Sequence, residues 1–138
     1  FWNEMNRHLE IIGTAMILIA LAHVFFPKHF GWKKELASLS LLARQMMYVH
    51  TAFIALAVLL MGVLCLTAPA ELVGTPLGRK IALGLAIFWG CRLLVQFFGY
   101  SPKLWRGKRF ETSIHILFTF LWIYLTAVFV VIAIGKGT

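Results

Sequence analysis

The sequence predicts an all-α integral membrane protein, with residues 1–138 forming a single up-down bundle of four transmembrane helices. Of the 138 residues, 61% are apolar and only 13% are charged. Four separate apolar stretches are each long enough to cross a bilayer, which takes about 20 helical residues. The spans must be helical, because lipid offers no partners for unpaired backbone groups. The same composition excludes a disordered chain, a disulfide scaffold and an ordinary soluble enzyme.

Start and stop signals mark the four predicted spans. Pro27 is expected to end the first helix, because proline lacks the N–H that would continue it. Ser40 is placed to cap the second helix, and Thr75 with Pro76 is typical of a cap followed by a first-turn proline. Glu111 lies in the first turn of the fourth helix, where the helix dipole favours an acid. The spans are residues 9–26, 41–66, 77–98 and 112–134.

Basic residues predict the orientation. Thirteen Lys and Arg stand against five acids, and eight of the thirteen lie in or beside loops 27–40 and 99–111. Four lie on the opposite side, and Arg92 remains inside a span. The positive-inside rule places both loops in the cytoplasm and both termini outside, and we expect a bacterial inner membrane. Topology and anionic headgroups account for the positive charge, so the expected partner is the lipid bilayer and not nucleic acid.

Polar side chains inside the spans collect towards the cytoplasmic side. Polar groups are costly within a membrane and therefore mark candidate functional positions. At 1.5 Å per residue, two layers are expected: one about 6 Å from the boundary, with His23, Gln45, Gln96 and His115, and one about 12 Å from it, with His50 and Arg92. We predict one intramembrane His/Arg/Gln site. Its candidate residues are His23, His50, His115, Arg44, Arg92, Gln45, Gln96 and Tyr48.

Helical spacing supports this convergence, because residues three or four apart share one face. Small residues accompany the polar ones, and small residues favour helix contact in membranes. We therefore expect four faces to point into the bundle. They are Gly13–Met16–Ala20–His23, then Ala43–Met47–His50–Ile54–Ala57–Met61, then Leu85–Phe88–Arg92–Gln96, and Glu111–His115–Thr119–Trp122–Thr126.

The leading functional hypothesis is binding of haem b or a transition metal for membrane redox work. Neutral imidazole is a good ligand for iron, zinc and copper. His50 with His115, or His23 with His115, would be axial haem ligands, with Arg92 and Arg44 meeting the propionates. The three histidines together would equally suit a metal site with an open fourth position. Quinone binding is a related hypothesis, with the carbonyls held by His and by Arg or Gln.

Two other hypotheses remain open. A polar pocket with Arg92 at its floor suits transport or binding of a small anion, a lipid headgroup or protons. A chain this small and poor in loops also suits an accessory subunit of a larger membrane complex, or a homo-oligomer. Whether it is an enzyme stays open. Di-iron carboxylate chemistry lacks deep acids, and nucleophile catalysis lacks a carboxylate to orient a histidine.

Overall fold

The computed structural model describes residues 1–104 and 106–135, and it is 87% helical with no strand in that part of the chain. The helices are α1 Trp2–His29, α2 Trp32–Glu35, α3 Leu41–Thr67, α4 Pro69–Gly74, α5 Pro76–Phe98 and α6 Arg109–Ile134, with a 3₁₀ turn at Pro102–Leu104.

Four of these helices are long and apolar enough to cross a membrane. They are α1, α3, α5 and α6, with 28, 27, 23 and 26 residues. The four predicted spans are therefore confirmed as helices. The largest difference in bounds is at the start of α1, which begins at Trp2 and not near residue 9. Its first two turns are polar, so apolar patterning could not detect them although they are helical.

The predicted N-caps are confirmed. The Ser40 hydroxyl accepts from the Ala43 backbone N–H at 3.2 Å, at the start of α3. The Thr75 hydroxyl accepts from the Gly78 N–H at 2.9 Å, with Pro76 at the first position of α5. Each cap satisfies a backbone donor that has no partner within its own helix.

The prediction that Pro27 ends the first helix is wrong, because α1 continues to His29. A proline lacks the N–H that would donate to the carbonyl four residues earlier, and its ring crowds that carbonyl, but the hydrogen bonds of later residues can still form. The next turn still closes, since the Phe30 N–H donates to the Phe26 carbonyl at 2.9 Å. So close to the end of α1, one missing bond does not stop the helix.

The chain divides into two compact units. One comprises Arg7–Pro69 and is called the α1–α3 unit; the other comprises Phe1–Asn6 with Ala70–Thr138 and is called the α5–α6 unit.

Close backbone approach between two glycines organises the α1–α3 unit. A Cβ on Gly62 would lie 2.9 Å from the Gly13 carbonyl oxygen, so the helices touch where neither has a side chain. Met16 and Ala20 of α1 are buried beside Gly13, which confirms the predicted face of that helix. Small residues permit such contact, and in membranes it supplies much of the packing energy.

The predicted inner face of α3 is wrong. Its buried residues are Val58, Gly62 and Cys65, whereas Met47 and Ile54 of the predicted face are 43% and 51% exposed. The polar position His50 set the predicted face, but Gly62 is the residue that allows α1 to approach. The helix is therefore rotated relative to the prediction.

The α5–α6 unit has a core of aromatic and aliphatic side chains, and α5 packs directly on α6. A Cβ on Gly78 would overlap the Glu71 carbonyl oxygen, so glycine is required where α4 meets α5. The buried core side chains include Leu72, Val73, Ala82, Leu85, Ala86, Trp89, Trp122, Leu125, Val128, Phe129 and Ile132.

Candidate functional site

Gln96 connects α5 and α6 through the main polar network of the α5–α6 unit. It is buried, with 6% of its surface exposed. Arg92, one turn earlier on α5, donates from Nη1 to Gln96 Oε1 at 3.3 Å. The Gln96 Nε2 faces His115 Nδ1 at 3.1 Å, the His115 carbonyl at 3.2 Å and the Thr119 hydroxyl at 3.4 Å, all on α6. Three of the predicted site residues therefore meet here.

This network fixes the direction of each hydrogen bond. An arginine can only donate, so the group of Gln96 that faces Arg92 must be its carbonyl oxygen. The Gln96 NH₂ group then faces His115, and His115 Nδ1 must accept. A neutral His115 consequently carries its proton on Nε2.

The Arg92 guanidinium lies among aromatic rings. Its Cζ is 5.0 Å from the Trp122 ring centroid and 5.7 Å from that of Tyr100. Both distances suit a cation–π contact. Gln96 and Tyr100 follow Arg92 by four and eight residues, so the charged head extends towards the end of α5. Among the described residues, Arg92 forms no ion pair with a carboxylate.

Two stacked indoles adjoin this arginine. Trp89 of α5 and Trp122 of α6 lie with ring centroids 5.1 Å apart and planes within 14° of parallel. They are 2% and 5% exposed, and neither indole N–H has a hydrogen-bond partner in the described part of the chain. An unmatched buried donor costs about 1–3 kcal/mol, so each such group calls for an explanation.

His23 and His50 of the α1–α3 unit have the opposite tautomer from His115. His23 Nδ1 lies 2.7 Å from the Ile19 carbonyl, and His50 Nδ1 lies 2.7 Å from the Met46 carbonyl. A carbonyl only accepts, so Nδ1 carries the proton in both rings. When these rings are neutral, the lone pair is on Nε2, which is the form that binds metals.

Two cavities in the α1–α3 unit contain other predicted site residues. One, of about 350 Å³, is lined by His23, Tyr48 and Thr51 among others. The second, of about 300 Å³, is lined by Arg44, Gln45 and again Tyr48, together with residues of α2.

His50 is exposed and lines neither cavity. Over residues 1–104 and 106–135, no group of three or more His, Cys, Asp or Glu side chains is arranged to hold a metal ion.

Sequence reasoning missed three contributors. Tyr100 lies at the predicted inner membrane boundary, where an aromatic residue is ordinary, but it also contacts Arg92 from just beyond the end of α5. Trp32 lies at the same boundary and Lys33 is one of the basic residues that predict the orientation, yet both line the cavity that contains Arg44. The fold of loop 27–40 brings them there, and no periodic signal predicts it.

The exposure of Cys91 also departs from expectation. In the sequence, Cys65 and Cys91 lie at different depths in their spans, which predicts two unpaired cysteines packed in the core as small residues. Both are free, and Cys65 is buried, but Cys91 is exposed.

Comparisons with protein-family models, with curated proteins and with solved structures find no match to this chain.

Proposed function

We propose that the four long helices cross a membrane alternately as a single up-down bundle. Loops 27–40 and 99–111 would lie in the cytoplasm and both termini outside, in a bacterial inner membrane. Large apolar side chains are widely exposed, including Phe98 at 84% and Phe110 at 72%, which suits a surface facing lipid. A reporter fused after Lys108 is expected to read as cytoplasmic. An external reading would contradict this orientation.

Within this membrane protein, we propose that the α5–α6 site binds an oxyanion, either a carboxylate or a phosphate. The observation that carries the proposal is the Arg92 guanidinium itself, which can only donate and which no carboxylate neutralises among the described residues. Arginine can bind a carboxylate or phosphate through two parallel hydrogen bonds. An uncompensated charge within a membrane is costly, and an anionic ligand would supply its counter-ion.

The surrounding side chains would orient the arginine for this task. Gln96 uses one guanidinium donor and anchors it, leaving other donors for a ligand. The Trp122 ring covers part of the cation. Arg92 lies six residues before the end of α5, which is about 9 Å from that end along the helix axis at 1.5 Å per residue. The head extends towards that end, so an amphiphilic acid could approach from the membrane boundary with its tail in lipid.

Binding of a defined probe tests the proposal. The purified full-length chain, in zwitterionic nanodiscs, is titrated with brominated oleate, and quenching of tryptophan fluorescence is measured. Arg92→Gln is expected to weaken binding by about 10- to 100-fold, since a charge-assisted hydrogen bond contributes about 1.5–3 kcal/mol. Arg79→Gln, in the same helix but near its other end, is the matched control and is expected to bind as the wild type does.

Competition and the control variant distinguish a soluble acid from a lipid-borne one, and binding at Arg92 from an effect of surface charge. Competition by succinate would indicate a small soluble acid, whereas indifference to succinate would indicate a lipid-borne one. Equal loss in the Arg92→Gln and Arg79→Gln variants would reduce the effect to general surface charge and contradict the proposal.

Quinone binding is a second candidate function, and the Trp89–Trp122 stack favours it. A quinone ring is planar and can lie against an indole, and its carbonyls accept hydrogen bonds from arginine or from the two indole N–H groups. A water-insoluble quinone analogue would then compete with brominated oleate. Absence of competition would leave the oxyanion as the better ligand.

Haem or metal binding stays a prediction from the sequence. The hydrogen bonds of the α5–α6 site do not suit His115 as a ligand, because its neutral tautomer carries the proton on Nε2. His23 and His50 have the ligating tautomer. An absorption spectrum and elemental analysis of the purified protein, compared with the His50→Ala variant, test this prediction directly.

A further inference from the structure

The cavity lined by Arg44 in the α1–α3 unit shares no lining residue with the proposed oxyanion site. It measures about 300 Å³ and is formed by the short helix α2 and the first two turns of α3. Gly31, with φ of 62°, turns the chain from α1 into α2. Trp32 then contacts Tyr48 edge to face, with ring centroids 5.5 Å apart, which connects α2 to α3.

The lining combines positive charge with polar and apolar groups. Lys33 comes from α2 and Arg44 from α3, with Gln45 and Tyr48 beside them and no carboxylate among the lining residues. The Arg44 Nε is buried without a hydrogen-bond partner in the described part of the chain. A buried guanidinium N–H without an acceptor is costly, and a nearby ammonium adds repulsion. A bound anion would accept from the Arg44 N–H and would offset the repulsion between the two positive charges.

The position of the cavity indicates which anion. It lies at the start of α3, where the proposed bundle meets the membrane surface. Leu36 and Leu41 complete the lining, and Leu42 beside them is 68% exposed. A polar, cationic pocket next to an exposed apolar helix face suits a ligand with a charged head and an acyl tail.

We propose that this pocket binds the phosphate of an anionic phospholipid. Arg44 would donate two parallel hydrogen bonds to the phosphate oxygens, and Lys33 would add a point charge. Gln45 and Tyr48 provide further donors, while the acyl chains lie along the exposed face of α3. The proposal shares the membrane placement with the proposed function but uses none of its site residues, so either one can fail without the other.

Native mass spectrometry of the full-length chain in neutral detergent tests the proposal, with phosphatidylglycerol as the probe. Arg44→Gln and Lys33→Gln are each expected to weaken phosphatidylglycerol binding about tenfold, as for loss of one charge-assisted contact. Lys34→Gln is the matched control, because Lys34 is an exposed residue of α2 that does not line the pocket. It is expected to keep the wild-type affinity.

Three outcomes would overturn the proposal. Equal weakening in Lys34→Gln would show that only surface charge matters. Unchanged binding in Lys33→Gln, whose exposed side chain is not needed for folding, would show that this pocket does not bind the phospholipid. Full displacement of phosphatidylglycerol by inorganic phosphate would assign the site to a free anion and not to a lipid. Circular dichroism of Arg44→Gln separates a folding defect from lost binding.

Discussion

Replacing Gln96 by glutamate tests whether the Arg92 guanidinium is the partner of the anion. The change is nearly isosteric and puts a carboxylate where Gln96 Oε1 now accepts from Arg92 Nη1 at 3.3 Å. The variant therefore supplies an internal counter-ion, and any oxyanion must compete with it. Two unit charges about 4 Å apart interact by about 4 kcal/mol at an effective dielectric constant near 20. Desolvation and the half-exposed position of Arg92 reduce that figure.

A net effect of about 1.5–3 kcal/mol is a realistic scale for such a charged hydrogen bond, which corresponds to roughly 10- to 100-fold weaker binding of brominated oleate. Gln96→Leu is the companion variant, because both replacements remove the Nε2 donors that reach α6 and only glutamate adds a charge. Hydrogen bonds between membrane helices average about 0.6 kcal/mol each. We expect a loss of roughly 1 kcal/mol in stability with the charge of Arg92 retained.

The two variants therefore separate charge from structure. Both variants lose the Gln96 donors that reach α6, so both are expected to lose thermal stability in detergent. Only Gln96→Glu adds a carboxylate beside Arg92, so it is expected to lose oxyanion binding, whereas Gln96→Leu is expected to keep part of the binding. Wild-type affinity in Gln96→Glu would refute the reasoning, because an adjacent carboxylate must compete for the guanidinium if that group holds the ligand.

Three further predictions concern the fold. Gly62→Ala is expected to lower the free energy of unfolding by about 1–3 kcal/mol through overpacking. Gly84→Ala is expected to be neutral or stabilising, because a Cβ there meets nothing within 4 Å. Thermal unfolding in detergent compares the two variants, and equal stabilities would exclude the close glycine contact. Ser40→Ala is expected to lower the stability by about 1 kcal/mol, and Ser40→Gly by only a few tenths of that unit. In the same assay, wild-type stability of Ser40→Ala would argue against the cap. A maleimide in detergent is expected to label exposed Cys91 faster than buried Cys65, and the reverse order would contradict the packing of α3 or α5.

The sequence was sufficient to predict the helices, because membrane spans leave a strong signal in length and apolarity. It also grouped Gln96 with His115 correctly, since equal depth and helical faces brought both to one layer. Their contact follows from two helices packing side by side, and helical periodicity describes such a pair well.

Predictions failed where one close contact decided the geometry. The face of α3 was assigned from polar His50, but the backbone contact at Gly62 determines which side packs. Residue type alone predicts a core position for Cys91, but the packing of α5 leaves it exposed. Lys33 lines the cavity with Arg44 because the chain turns at Gly31, and a single left-handed glycine has no periodic signature in the sequence.

The most direct measurement is a solid-state NMR distance between the arginine guanidinium nitrogens and a bound carboxylate. The full-length chain is labelled with ¹⁵N-arginine and reconstituted with oleate carrying ¹³C at its carboxyl carbon. A bidentate pair with N···O separations of about 2.7–2.9 Å gives a strong nitrogen–carbon dipolar coupling. We expect that coupling in the wild type and in Arg79→Gln, and its loss in Arg92→Gln. A coupling that persists without Arg92 would contradict the assignment of the oxyanion to this site.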